Sequence, residues 1–149
     1  MKIMRCLKKA TIKDLNLLFQ WVNDGSVRKN AFSTTDISFP EHKKWFENLL
    51  TRNDAMQYIY FCDNEPIGQV RINIENENAE IDYSICPSQR SRGHAKEMIN
   101  LLKEQIKLDF PEVKKLTAKV KPDNTASQKV FVHTGYIEKY YFYELELIN

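Results

Sequence analysis

The stretch Ile85-Cys86-Pro87-Ser88-Gln89-Arg90-Ser91-Arg92-Gly93-His94-Ala95 decides the fold, because it joins a strand pattern to a helix pattern through a polar turn. Upstream, residues 79–85 alternate in the period of a half-buried strand, with Ile81, Tyr83 and Ile85 on one face and Glu80, Asp82 and Ser84 on the other. Pro87 ends that strand. Downstream, Met98, Ile99, Leu101, Leu102, Ile106 and Leu108 recur at helical spacing, which predicts a helix starting near Gly93 to Lys96 and running to about Leu108. The first turn of such a helix has backbone N–H groups without intrahelical partners and the positive end of the macrodipole, so it attracts anions. Gly93 and Ala95 leave that backbone unshielded, and Arg90, Arg92 and Lys96 add positive charge around it. A pyrophosphate fits this description, and so does a solvated basic helix end.

Arg90-x-x-Gly93-x-Ala95 resembles the Gln/Arg-x-x-Gly-x-Gly/Ala pyrophosphate loop of the GCN5-related N-acetyltransferase (GNAT) superfamily, and Ile85-x-Pro87 stands where that family usually has Val-x-Pro. A second motif follows in order. Lys119-Val120-Lys121-Pro122-Asp123-Asn124-Thr125-Ala126-Ser127, then Phe131 and Gly135-Tyr136, resembles the family's later strand, its Asn-led helix and the Gly-aromatic pair that closes that helix. Two motifs in the right order are far more specific than one.

At 149 residues the chain fits a single domain, residues 1–149, and its 42% hydrophobic and 28% charged residues exclude disordered and collagen-like classes. A net charge of +2 provides no global field toward nucleic acid or a membrane surface. No apolar run approaches the ~20 residues that span a bilayer, and residues 1–9 lack the apolar core of a signal peptide. Cys6, Cys62 and Cys86 are odd in number and far apart, which suits reduced thiols and the cytoplasm rather than a disulfide frame or a zinc site, so no metal is expected. Ile85 and Pro87 offer Cys86 no activating base, which favours packing over a nucleophilic role.

In chain order, residues 3–7 read as a first strand, and Thr11 caps a helix carrying Ile12, Leu15, Leu18, Phe19 and Val22. A short helical piece at 26–30 and a polar stretch precede a helix opened by Pro40, with Trp45, Phe46, Leu49 and Leu50 inward. Residues 57–62, 67–74 and 79–85 form an antiparallel meander. Residues 116–120, after the long helix, run parallel to its last strand. A helix at 124–133 leads to a strand-rich end at 136–147. The class is α/β (α+β): a mixed, mostly antiparallel sheet of about six to seven strands with helices on both faces. That order of elements is the one the GNAT fold has.

The resemblance implies splayed fourth and fifth strands, here 79–85 and 116–120, with the pantetheine arm of acetyl-CoA in the opening. Backbone groups from Tyr83 to Ile85 would bind the arm, and the Ile85 N–H would polarise the thioester carbonyl. Arg90, Ser91, Arg92, Gly93, His94, Ala95 and Lys96 would hold the pyrophosphate, with Asn124, Ser127 and Phe131 completing the cofactor site. The implied reaction is direct attack by a neutral amine. For the base, Glu80, Asp82 and His42 are candidates, and the two carboxylates read equally as solvent-facing charges. For the acid, many members have Tyr seven residues after the motif Asn, where this chain has Phe131. Ser127 shares a helix face with Asn124 and Phe131 and is the nearest hydroxyl; Tyr136 is a second option. A thiol of pKa about 8.5 leaves without a strong acid.

Trp21-Val22-Asn23-Asp24, Val27-Arg28 and His42-Lys43-Lys44-Trp45-Phe46 resemble a branch containing UDP-4-amino-sugar N-acetyltransferases and surface- or spore-coat-polysaccharide acetyltransferases, more distantly the ribosomal-protein N-terminal acetyltransferases. The acceptor implied is a small-molecule amine on a nucleotide-linked sugar, met by Trp21, Asn23, Arg28 and His42, while Trp45 and Phe46 also fit core packing. A protein N-terminus or polyamine is the alternative acceptor, and a CoA-binding module without turnover is the alternative class, motivated by Phe131. The end of the chain, residues 142–147, offers an edge for a homodimer.

Overall fold

The alternating segments assemble into one sheet in a computed structural model that describes residues 2–147; Met1, Ile148 and Asn149 of the expected 1–149 domain lie outside the described residues. The strands are β1 (Arg5–Lys9), β2 (Ala55–Cys62), β3 (Glu65–Glu75), β4 (Asn78–Ile85) and β5 (Lys115–Thr117), in that spatial order. The first three pairings are antiparallel and β4–β5 is parallel. Asp63 and Asn64 join β2 to β3 with φ of 50° and 69°, the two-residue primed turn whose twist matches a hairpin.

The helices are α1 (Leu15–Val22), α2 (Gly25–Asn30), α3 (Phe39–Thr51), α4 (His94–Asp109) and α5 (Thr125–His133), with a 3-10 turn at Ile12–Asp14 before α1. Their starts follow local chemistry. Thr11 and Asp14 form a reciprocal capping box, Asp24 caps α2, Ser38 caps α3 with Pro40 in the first turn, and Asn124 caps α5.

Strand alternation divides the core in two. Tyr58, Val70, Ile72, Ala79 and Ile81 pack on Met98, Ile99, Leu102 and Ile106 of α4 and Phe131 of α5. On the opposite face Ala55 and Ile59 meet Leu18, Trp21, Phe46 and Leu49 of α1 and α3. Truncating the fully buried Leu102 to Ala costs about 2–5 kcal/mol.

Two expectations are corrected. The sheet among the described residues has five strands rather than six to seven, because residues 136–147 form no regular element and pair with neither edge strand, β1 or β5. The fifth strand covers Lys115–Thr117 rather than 116–120, because the chain veers from β4 after Thr117.

Candidate active site

That divergence makes the site. The β4–β5 pair has only three rungs, Asn78–Lys115, Ala79–Leu116 and Glu80–Thr117. Beyond them Ile81–Ile85 and Ala118–Val120 separate into the two walls of a cleft of about 970 Å³. Amides alternate between the two edges of a strand. The Cys86 N–H crosses to Ile67 O on the β3 side at 2.8 Å, so the Ile85 N–H faces the opening. Gly68 sits opposite Ile85, and a Cβ there would lie 2.6 Å from the Ser84 carbonyl oxygen; only glycine lets β3 approach the end of β4 this closely. The wall therefore presents free strand amides and carbonyls, which suit an extended, amide-bearing arm.

At the end of the opening α4 begins. Gly93 has φ 79° and provides no side-chain cap, and Ser91 also has positive φ, 62°. Successive amides in such a turn form a concave nest for an anion, reinforced by the helix dipole. Gly93, His94, Ala95 and Lys96 line the cleft there. His94 shares a 3.1 Å hydrogen bond between Nδ1 and the Tyr60 hydroxyl, and burial, then the Arg5 and Arg92 charges, push its pKa below the ordinary value. Arg92 is exposed, with Nη1 3.5 Å from Gln89 Oε1.

Arg90 is engaged within the chain. Its Nε donates to Ile85 O at 3.0 Å, Nη2 to Asp24 Oδ2 at 3.1 Å, and Nη1 to the Ser26 hydroxyl. The guanidinium thus ties the turn to the start of α2 and occupies the Ile85 carbonyl, leaving that residue's N–H as its open group. Asp24 also accepts from Ser26 Oγ and Val27 N, and the Ser26 bond, with Arg90 behind it, holds its carboxyl below the usual range.

Ser127 and Tyr83 face each other across the cleft wall, hydroxyl to hydroxyl at 2.6 Å. Tyr83 packs edge-on to Phe131 at 5.7 Å, and burial raises its pKa above 10. Asn124 turns its Oδ1 back to cap Ser127 N at 3.2 Å. Tyr136 leans on Phe131 at 5.0 Å, and its pKa is pushed up to about 12 by burial. It is not among the cleft's lining residues.

The other half of the cleft lies over the polar face of the sheet. Gln57 donates to Gln69 Oε1 at 2.7 Å and Gln69 donates to Ser84 Oγ at 3.2 Å. Arg71 pairs with Asp82 at 3.5 Å and lies 4.9 Å from the centre of the Trp45 ring; Glu80 meets Lys119 at 3.7 Å. Sequence reading missed Gln57, Gln69, Arg71 and Asn73. Their signal was polarity at alternate positions of strands whose other face is core.

Of the four residues expected at the acceptor, Trp21 and His42 line the cleft and are themselves buried. His42 packs against Phe19 and Phe46, with Nε2 enclosed and unpartnered among the described residues. In this structure the His42 ring is therefore held among aromatic side chains at the edge of the cleft. Asn23 is engaged within the chain: its Nδ2 donates to Ile37 O at 2.7 Å and its Oδ1 accepts from Ile37 N at 2.9 Å. Arg28 lines the cleft, but its guanidinium serves Val22 O, Ser33 O and Thr35 O. Both side chains pin the 31–37 loop onto α1 and α2.

The cleft is thus a splayed parallel edge that ends on an uncapped helix N-terminus. The family profile described as acetyltransferase (GNAT) domain matches residues 5–137, and the chain belongs to that family. No curated sequence matches it. Among solved structures, spermidine N-acetyltransferase from Vibrio cholerae, in complex with CoA and spermine, superposes with TM-score 0.85 at 19% identity, over 97% of this chain and 88% of that one. The aminoglycoside acetyltransferase AAC(6')-Ib with coenzyme A gives 0.79 at 18%, over 91% and 86%. The ribosomal L7/L12 alpha-N-protein acetyltransferase RimL with coenzyme A gives 0.76 at 21%, over 88% and 78%. At these identities the likeness carries the fold alone. Among the described residues no helix is long and apolar enough to cross a membrane.

Proposed function

We propose that this acetyltransferase uses acetyl-CoA and transfers acetyl directly to the primary amine of an amino sugar. The observation that carries the reading is the cleft's division into two unlike halves: free strand edges leading to an anion nest, and a polar, aromatic-flanked sheet face. Acetyl-CoA supplies a thioester whose carbonyl accepts the amine and whose sulfur leaves as a thiolate. The wall of β4 and residues 118–120 bind the pantetheine amides, and the amides of residues 93–96, with Lys96, take the pyrophosphate.

In this reading the Ile85 N–H donates to the developing oxyanion, a contribution on the order of 3–4 kcal/mol. Asp82 and Glu80 accept the ammonium proton through water. Tyr83, hydrogen-bonded to Ser127, supplies the hydroxyl that Phe131 lacks and donates to the departing sulfur. The C–N bond forms as the carbonyl oxygen takes up negative charge, collapse of that adduct breaks the C–S bond, the nitrogen gives up its second proton through water to solvent, and the thiolate takes its final proton from solvent. This hydroxyl pair argues against a binding module without turnover.

For the acceptor, amides and carboxylates beside Trp45 match the way hydroxylated rings are bound, by stacking and paired hydrogen bonds. Glu41, Glu80 and Asp82 on the same cleft also favour a polyamine, which is the second reading. The nucleotide of a nucleotide-linked sugar draws no support from Arg28, whose guanidinium is engaged.

Thiol release from acetyl-CoA, measured with free amino sugars, UDP-linked amino sugars, spermidine and N-terminal peptides, tests the proposal. Turnover with amino sugars supports it. Turnover with spermidine alone selects the polyamine reading, and bound acetyl-CoA without turnover on any amine overturns both.

A further inference from the structure

Gln57 stands between Ala55 and Ile59 of the α1–α3 core, and with Gln69 it is nearly enclosed, the two being 3% and 8% exposed. A buried amide is stable only when its donors and acceptor are matched, and here the matching has a direction. The Tyr58 carbonyl, which can only accept, takes a hydrogen bond from Gln57 Nε2 at 3.2 Å. That bond fixes which end of the Gln57 amide is nitrogen. The same Nε2 donates to Gln69 Oε1 at 2.7 Å, so Gln69 turns its own Nε2 to Ser84 Oγ at 3.2 Å. Ser84 therefore accepts from the sheet, and among the described residues its hydroxyl has no acceptor of its own. It is half-buried and lines the cleft.

Strand amides lie in the plane of the sheet, whereas side chains stand perpendicular to it. The Ile85 N–H faces the splayed opening, while Ser84, one residue earlier and opposite Gln69 in the β3–β4 register, projects over the polar face. Its hydroxyl thus serves the acceptor rather than the thioester. Resting on the amino-sugar reading above, we propose that Ser84 is a specificity-determining residue whose hydroxyl donates to an oxygen on the ring carbon next to the amine-bearing one. Gln57 and Gln69 are positioning residues that hold it as a donor. Neighbouring residues are about 3.3 Å apart along a strand. An oxygen met by Ser84 therefore lies one substituent away from an amine attacking a thioester held at the Ile85 N–H. The acceptor that fits is a vicinal amino alcohol within a ring. Spermidine carries no oxygen and would leave the directed hydroxyl unused.

Thiol release from acetyl-CoA with glucosamine, 3-amino-3-deoxyglucose and 4-amino-4-deoxyglucose, each against its analogue deoxygenated at the carbons flanking the amine, tests the assignment. For the sugar it uses, the wild type is expected to prefer the hydroxylated member by at least about tenfold in kcat/KM. Ser84→Ala should bring that sugar down to near its analogue. Gln69→Leu should lose part of the preference alone and nothing further in the Ser84→Ala background, a coupling that a merely structural glutamine would not show. Equal turnover of both members, a preference that survives Ser84→Ala, or additive effects of the two substitutions would each overturn the assignment while leaving amino-sugar acetylation standing. Silence on every sugar, with or without turnover of spermidine, overturns the amino-sugar reading and the assignment with it.

Discussion

Tyr83 and His42 each show a side chain whose value comes from its surroundings. If the Tyr83 hydroxyl stabilises the departing sulfur, Tyr83→Phe lowers kcat about 10- to 100-fold, the worth of a hydrogen bond to a charged group, and leaves KM for acetyl-CoA nearly unchanged; steady-state kinetics read both. Ser127→Ala should have the smaller effect of the same kind. At His42 burial outweighs the opposing hydrogen bond to Leu15 and lowers the pKa from 6.5. A histidine that binds its proton less readily when folded adds stability that is present above its unfolded value and lost as pH falls through the folded one. Unfolding free energy should therefore decline from pH 7 toward 5. His42→Phe, which keeps the aromatic packing and removes the enclosed nitrogen, should flatten part of that slope in urea titrations, with His94 keeping the rest.

Among the elements, the motif arginine has the role that sequence could not show. Periodicity and caps made β2, β3, β4, α4 and α5 legible, because each depends on neighbours close in the chain. Arg90 and Asp24 are 66 positions apart, and the choice between an anion and a carboxylate for the guanidinium is made only when α2 arrives. Asn23 and Arg28 belong to a recognisable motif for the same concealed reason, since they bind backbone carbonyls and amides of the 31–37 loop. The cleft's Gln57–Gln69–Ser84 ladder joins three strands and so had no local signature beyond its polarity. The Arg90–Asp24 tie predicts that Asp24→Asn loosens the turn, raising the acetyl-CoA Kd severalfold. It also predicts an acid limit: a carboxyl lowered from 3.8 contributes fully above that value and is lost as pH falls through its folded pKa, so binding should decline only below about pH 4.

For the whole molecule, the sheet is continuous from β1 to β4 and then opens, and that opening is both the missing half of the expected β5 and the wall proposed to hold the cofactor. The two hydrophobic clusters hold helices on both faces, while the half of the cleft proposed for the acceptor lies on a part of the sheet where polar residues replace core. The most direct test of this account is calorimetric titration of acetyl-CoA into the wild type and into Gly93→Glu, whose side chain and charge would fill the anion nest at a position with φ 79°. Saturable binding of one acetyl-CoA per chain, lost by at least about a hundredfold in a variant with unchanged circular dichroism, is the predicted result. Equal binding by both proteins, or none by the wild type, would contradict it.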